Sequence, residues 1–240
     1  MRWLIYINHG LILLFVGWQF YASSQKTELY LNKSAETSRQ HAAAYRAKGD
    51  TPKAEKYLAS AIKVQSTSGR DNRATAADLR RELASLRMSA DDLAGAEKLY
   101  REALDLLEEW PRGSDAAIIN IRTQLAGLCY RQSRFDEAAD FYRTVLSLEV
   151  TLLGETHPDP LGTMSILGGL ELKRGKLAEA ESLFRRQLRG VQQVHGAEKR
   201  EVTSVLDNLA EVLDKAGQGA EAARLRAEAA RIRRKLCDEC

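Results

Sequence analysis

Two cysteines three positions apart, in Cys237-Asp-Glu-Cys240, are the pair in this chain best placed to do chemistry. A CxxC can cycle between dithiol and disulfide or supply half of a zinc site. No second ligand pair accompanies it, no strand–helix turn frames it, and it falls at the end of the sequence, where fraying is expected. It reads as a non-catalytic tail, oxidised if the protein is exported. Cys129 lies among apolar residues at helical spacing and reads as a small core residue. The histidines are His9, His41, His157 and His195. One falls in an apolar run, one on a helix and two in turns, so they share no site, and His157 before Pro158 reads as turn-forming. Residues 169–177, GLELKRGKL, superficially resemble a phosphate-binding loop. They hold one residue too many between the glycines, and Leu177 stands where a hydroxyl must meet Mg²⁺. The expectation is therefore a non-enzyme with no metal and no cofactor.

The elements that carry these residues repeat. Ala54, Ala96, Ala138, Ala180 and Ala222 recur every 42 residues, and periodicity on this scale marks stacked repeats. Five residues before each alanine comes a break: Gly49, Asp91, Ser133, Gly175 and Gly217. A residue there can end a helix in the left-handed conformation, glycine best of all. Twelve before each alanine stands Ala42, Ala84, Ala126, Gly168 or Ala210, and seven after it Ala61, Ala103, Val145, Gln187 or Ala229. Small side chains at fixed places on successive helices let two backbones cross closely. Tyr57, Leu58, Leu99, Tyr100, Phe141, Tyr142, Leu183 and Phe184 fill the space beside them at helical spacing.

This order of small residue, break, alanine, aromatic and small residue resembles the tetratricopeptide repeat, as in RGKLAEAESLF, LAGAEKLYREAL and FDEAADFYRTVL. The 42-residue period, with LGETHP at 153–158 and VLDNLAEVLDKAG at 205–217, looks like the kinesin-light-chain type. Gln187 and Arg226 depart from the pattern, where small and aromatic residues are preferred. The resemblance implies an all-α, right-handed solenoid of five helix hairpins over residues 35–236. Its repeats run about 35–70, 71–114, 115–158, 159–198 and 199–236, with a tail at 237–240. It also implies that the first helix of each repeat lines a concave groove. Taking Ala35, Ala77, Ile119, Leu161 and Thr203 as first positions, the inward set is Arg39, Gln40 and Arg46; Arg81, Glu82 and Met88; Asn120, Thr123, Gln124, Tyr130 and Arg131; Ser165, Leu172 and Lys173; and Asp207, Asn208 and Lys215. Asn208 is the clearest match. Amides can hydrogen-bond an extended peptide and arginines can pair with its carboxylates, so an acidic or neutral protein segment is the expected ligand.

Before the repeats, residues 3–22 read WLIYINHGLILLFVGWQFYA without a charge. About 20 apolar residues suffice to span a bilayer, and Trp3, Tyr6, Trp18 and Tyr21 fit the two interfacial belts. A cleaved signal peptide is the competing reading, since Ala22-Ser23-Ser24 offers small residues after a short apolar run. The aromatic weight at both ends favours an uncleaved anchor over residues 1–22, followed by a polar tether at 23–34. Arg2 faces Lys26, Lys33 and Arg39 across the segment, which nearly balances the basic-residue rule. An N-terminal segment of this kind usually keeps its start in the cytoplasm, which puts the repeats on the extracytoplasmic, periplasmic side. Gly10 and Gly17 miss the GxxxG spacing, so a homo-oligomer is allowed but not indicated. A charged fraction of 29% and a net charge of +3 lack the concentrated basic face of a nucleic-acid binder. The basic stretch Arg224–Lys235 reads as a polar cap with cations near a helix end. The leading expectation is a membrane-tethered adaptor supporting a membrane or envelope complex. An exported soluble scaffold comes second, and a redox protein using Cys237 and Cys240 third.

Overall fold

The computed structural model describes residues 29–31, 33–65, 73–109 and 115–238. The expected anchor at 3–22 and Cys240 lie outside the described residues. Among those described there are helices and turns and no strand. Helix α1 covers 33–47, and residues 29–31 are helical too, so part of the stretch expected as tether is helix. Leu29, Tyr30 and Leu31 are good enough helix formers to take that conformation, though Leu29 and Tyr30 stay exposed. Then follow α2 (Thr51–Gln65), α3 (Arg73–Ser89), α4 (Leu93–Glu108), α5 (Asp115–Arg131), α6 (Phe135–Leu153), α7 (Pro158–Lys173), α8 (Leu177–His195), α9 (Arg200–Lys215) and α10 (Gly219–Asp238).

Each hairpin turns the same way for a local reason. Gly49, Asp91, Ser133, Gly175 and Gly217 all have φ between 61° and 77°. The next residue then donates its N–H back across the turn: Asp50 to Tyr45, Asp92 to Arg87, Arg134 to Cys129, Lys176 to Glu171 and Gln218 to Leu213, at 2.8–3.0 Å. This satisfies carbonyls that a helix end otherwise leaves orphaned. The same residue opens the second helix, its carbonyl accepting from the N–H of Ala54, Ala96, Ala138, Ala180 or Ala222 at 3.0–3.1 Å. Turn and alanine are thus one motif, which is why their spacing never varies.

The chain divides into two compact units, Met1–Ser114 and Asp115–Cys240. In the first unit α2 packs on α3, and α3 pairs with α4. Ala35, Ala42, Ala54, Leu58, Ala61, Leu79, Leu83 and Leu86 form a core there. In the second unit the hairpins α5–α6, α7–α8 and α9–α10 stack in chain order through α6 on α7 and α8 on α9. Its core runs from Ala126 and Cys129 through Tyr142 and Met164 to Ile232. Among described residues no helix is long and apolar enough to cross a membrane.

The two departures from the repeat pattern have structural causes. Gln187, where sister repeats carry Ala or Val, is 7% exposed and donates through Nε2 to the Leu161 carbonyl at 3.1 Å. Arg226 stands on the last helix, pairs with Asp214, and leaves the aromatic position to solvent. Cys129 is buried, as a small core residue should be.

Candidate functional site

The first helices of the second unit bury one side and present the other. On α5, Ile118, Ile121, Leu125, Leu128 and Cys129 are buried, while Asn120, Tyr130 and Arg131 are exposed and Thr123 and Gln124 half-buried. The residues at 120, 124, 127 and 131 share one helix face by spacing alone. On α7 the corresponding face holds Gly162, Ser165, Ile166, Gly169 and Lys173, and on α9 it holds Asp207, Asn208 and Lys215. Thr123 Oγ1 donates to its own helix at the Ile119 carbonyl, 2.9 Å away. Asp207 is engaged by Arg233 of α10, and Lys215 by Glu211 at 3.0 Å.

Tyr130 is the most organised member of the set. Its ring is 45% exposed and meets Phe135 edge-on at 5.5 Å between centroids. Lys173, one repeat further on, places Nζ 4.7 Å from the Tyr130 ring and 4.4 Å from that of Phe135, and donates to the Tyr130 hydroxyl at 3.3 Å. An exposed cation–π contact is worth about 0.5–1 kcal/mol, enough to bias the ring towards one orientation.

Sequence reasoning passed over four residues on this face. A Cβ built on Gly127, Gly162 or Gly169 meets nothing within 4 Å, and Ile166 is 50% exposed. Glycine inside a helix costs about 0.5–1 kcal/mol relative to alanine. Packing demands it at Gly168, whose Cβ would lie 2.8 Å from the Phe184 ring, and at Gly190, whose Cβ would lie 2.6 Å from Leu161. At the three open positions packing demands nothing. Their signal was present as glycines at repeat positions two and nine, yet only the fold shows the space beside them to be empty.

In the first unit the arginines are less available than the sequence suggests. Arg39 is paired with Glu82, and Arg81 with Asp78 one turn away at 3.1 Å. A ligand carboxylate would have to displace these internal partners to reach either guanidinium. Arg46 is exposed and lines a cavity of about 350 Å³ with Ala43, Ala47, Leu58, Glu82 and Leu86.

The residues that first suggested chemistry are dispersed. Cys237 is a free, exposed thiol. His157 caps α7, its Nδ1 accepting from the Asp159 N–H at 3.3 Å. Residues 169–177 cross the α7–α8 turn, with no strand before them. Among described residues no group of three or more His, Cys, Asp or Glu side chains could hold a metal ion.

The sequence model of the Tetratricopeptide repeat matches residues 75–149 and 159–235. Among solved structures, BtubC (BKLC) from P. vanneervenii is similar at 20% identity over 89% of this chain and 92% of its own, with a TM-score of 0.66. A Podosopora anserina protein of the kinesin-light-chain type, with nearly identical TPR-like repeats, is similar at 18% identity over 84% and 95%, with a TM-score of 0.67. MamA matches at 12% identity over 86% and 95%, with a TM-score of 0.62. At such identities the likeness concerns the fold. No curated protein matches the chain by sequence.

Proposed function

The chain belongs to the tetratricopeptide-repeat family, and on that footing we propose that it is an adaptor whose first helices hold a segment of a partner protein. One observation carries this: Gly127 on α5 and Gly162 and Gly169 on α7 open the corresponding face of each helix to solvent where packing does not require glycine. A face cleared in this way admits the backbone of a ligand close to the helix surface. Asn120, Gln124 and Asn208 are the amides placed to bond an extended peptide, and Tyr130 and Ile166 offer apolar area. Arg131 and Lys173 favour a neutral or acidic segment over a basic one. In the first unit Arg46, beside its own cavity, offers a further guanidinium to a carboxylate.

The adaptor sits at a membrane through residues 3–22, with its repeats on the periplasmic side, and supports assembly or maintenance of a membrane or envelope complex. Cleavage after Ser24 would instead release a soluble scaffold, a reading favoured by the small residues Ala22-Ser23-Ser24. The intact mass of the protein purified from native membranes separates the two.

The groove reading is tested by cross-linking pull-down of the full chain from native membranes. Gly169→Leu, and separately Arg131→Glu with Lys173→Glu, should lose the captured partner while far-ultraviolet circular dichroism stays unchanged. Undiminished capture by both folded variants overturns the reading.

A further inference from the structure

A second face of the same unit carries a cavity that the first-helix reading does not use. Between α6 and α8, above α7, lies an open groove of about 650 Å³. Its floor is apolar, made by Leu146, Val150, Leu167 and Leu183, and its rim is short: Ser147, Thr151 and Ser182. One repeat later, 42 positions on, the rim residues are Arg189, Gln193 and Arg224. There Arg185 of α8 also reaches across to Glu221 of α10 at 2.9 Å and bridges the two helices.

The counterparts of that bridge are Arg143 and Glu179, and they do not meet. Arg143 is drawn down to Glu171, whose side chain is 1% exposed, and to Asp140. Arg174 holds Glu171 from the other side at 2.6 Å. The sister repeat has Leu213 at the position of Glu171, and Arg185, though also paired with Glu181 of its own helix at 2.8 Å, stays at the groove and reaches Glu221. Arg186, at the far wall, is occupied by Glu155 at 2.9 Å. Glu179 is exposed on the rim with no ion-pair partner among the described residues.

We propose that the α6–α8 groove is a second docking site, for a partner segment that sets a lysine or arginine beside a large apolar side chain. The apolar group fills the floor, and the cation takes the place that Arg185 holds in the sister repeat, opposite Glu179. From Arg143 to Thr151 the wall runs roughly 12 Å, room for about two turns of helix or a few extended residues. Charge complementarity sets this ligand apart from the acidic or neutral segment proposed for the first-helix face, so the two sites do not compete for one partner.

The test is selection of displayed random 12-residue peptides on the full chain, followed by titration of the enriched peptides as fluorescent synthetic copies. The expected peptides carry Arg or Lys next to Leu, Phe or Met. They bind Glu179→Lys at least tenfold more weakly, and also lose affinity for Glu171→Leu, which frees Arg143 to close the groove. Should Glu171→Leu fail to fold, Glu179→Lys, a surface change, still carries the test. Enrichment of acidic peptides alone, no enrichment, or affinity untouched by Glu179→Lys overturns the proposal. Peptides lost on Gly169→Leu but spared by Glu179→Lys would belong to the first-helix face, so the two proposals fail separately. Self-association in sedimentation that Glu179→Lys abolishes would assign the groove to a second copy and overturn it as well.

Discussion

Gly168 and Glu149 hold the sharpest residue-scale consequences. Gly168 stands where other repeats have alanine, and the ring atoms of Phe184 lie 2.8–3.0 Å from the missing Cβ. Gly168→Ala should therefore destabilise by about 1–3 kcal/mol through overpacking. Adding Phe184→Leu should recover part of that loss, so denaturant titration of both single variants and the pair will show non-additivity. Glu149 is 6% exposed, with Oε2 lacking a hydrogen-bond partner. Burial pushes its carboxyl above the usual value of 4.5, against a hydrogen bond to Thr163. The folded state thus holds this proton more tightly than the unfolded chain does. The penalty is absent well below pH 4.5, appears as pH rises from there through the folded value, and is complete once both states are ionised. Glu149→Gln should accordingly stabilise at pH 7 by on the order of 1 kcal/mol. In thermal melts that advantage should vanish as pH falls below 4.5; an advantage independent of pH would mean the charge is not its cause. Leu107 and Val191, one repeat either way, show that the site otherwise takes apolar side chains.

At the scale of elements, the hairpin turn decides most of the fold. Ser133 holds φ at 61° without being glycine, a conformation that costs an L-residue about 1–2 kcal/mol. Ser133→Gly should stabilise by about 0.5–1 kcal/mol, and Gly175→Ala, at φ 75°, should destabilise by about 1 kcal/mol. Opposite signs in chemical denaturation are the check. The last helix is held by a different device. Glu198, in the turn before α9, pairs with Lys235 and Arg231 of α10, and the hydrogen bonds they donate, Lys235's first, together with their charges depress its pKa to about 2. Because the folded value is lowered, this tie is complete above the ordinary 4.5 and is lost as pH falls towards about 2. Hydrogen exchange at the end of α10 should rise across that window and be insensitive to it in Glu198→Gln. Every turn residue involved here stands in the 42-residue pattern, since a left-handed turn and its returning hydrogen bond span only six residues. The Glu198 tie joins residues more than 30 apart and carries no local mark.

On the scale of the whole chain, each unit has a core of its own. Three stacked hairpins are about the minimum for a repeat array, and the second unit contains three. A chain of residues 115–240 should therefore keep its helical circular dichroism and melt cooperatively; a non-cooperative melt would place its stability elsewhere. The amino-acid sequence by itself determined the repeat length, the five left-handed turns and the alanines where helices cross. These depend on backbone conformation and side-chain size within a few residues, which composition and spacing report directly. Only the tertiary structure decided which charges meet. Arg39 and Arg143 are long side chains that pair with Glu82 and Glu171 of neighbouring helices, and those choices depend on distances between helices. The tertiary structure also leaves Glu179 without an ion-pair partner among the described residues, sets Lys173 over the Tyr130 ring, and separates the glycines that packing requires from those that face open space.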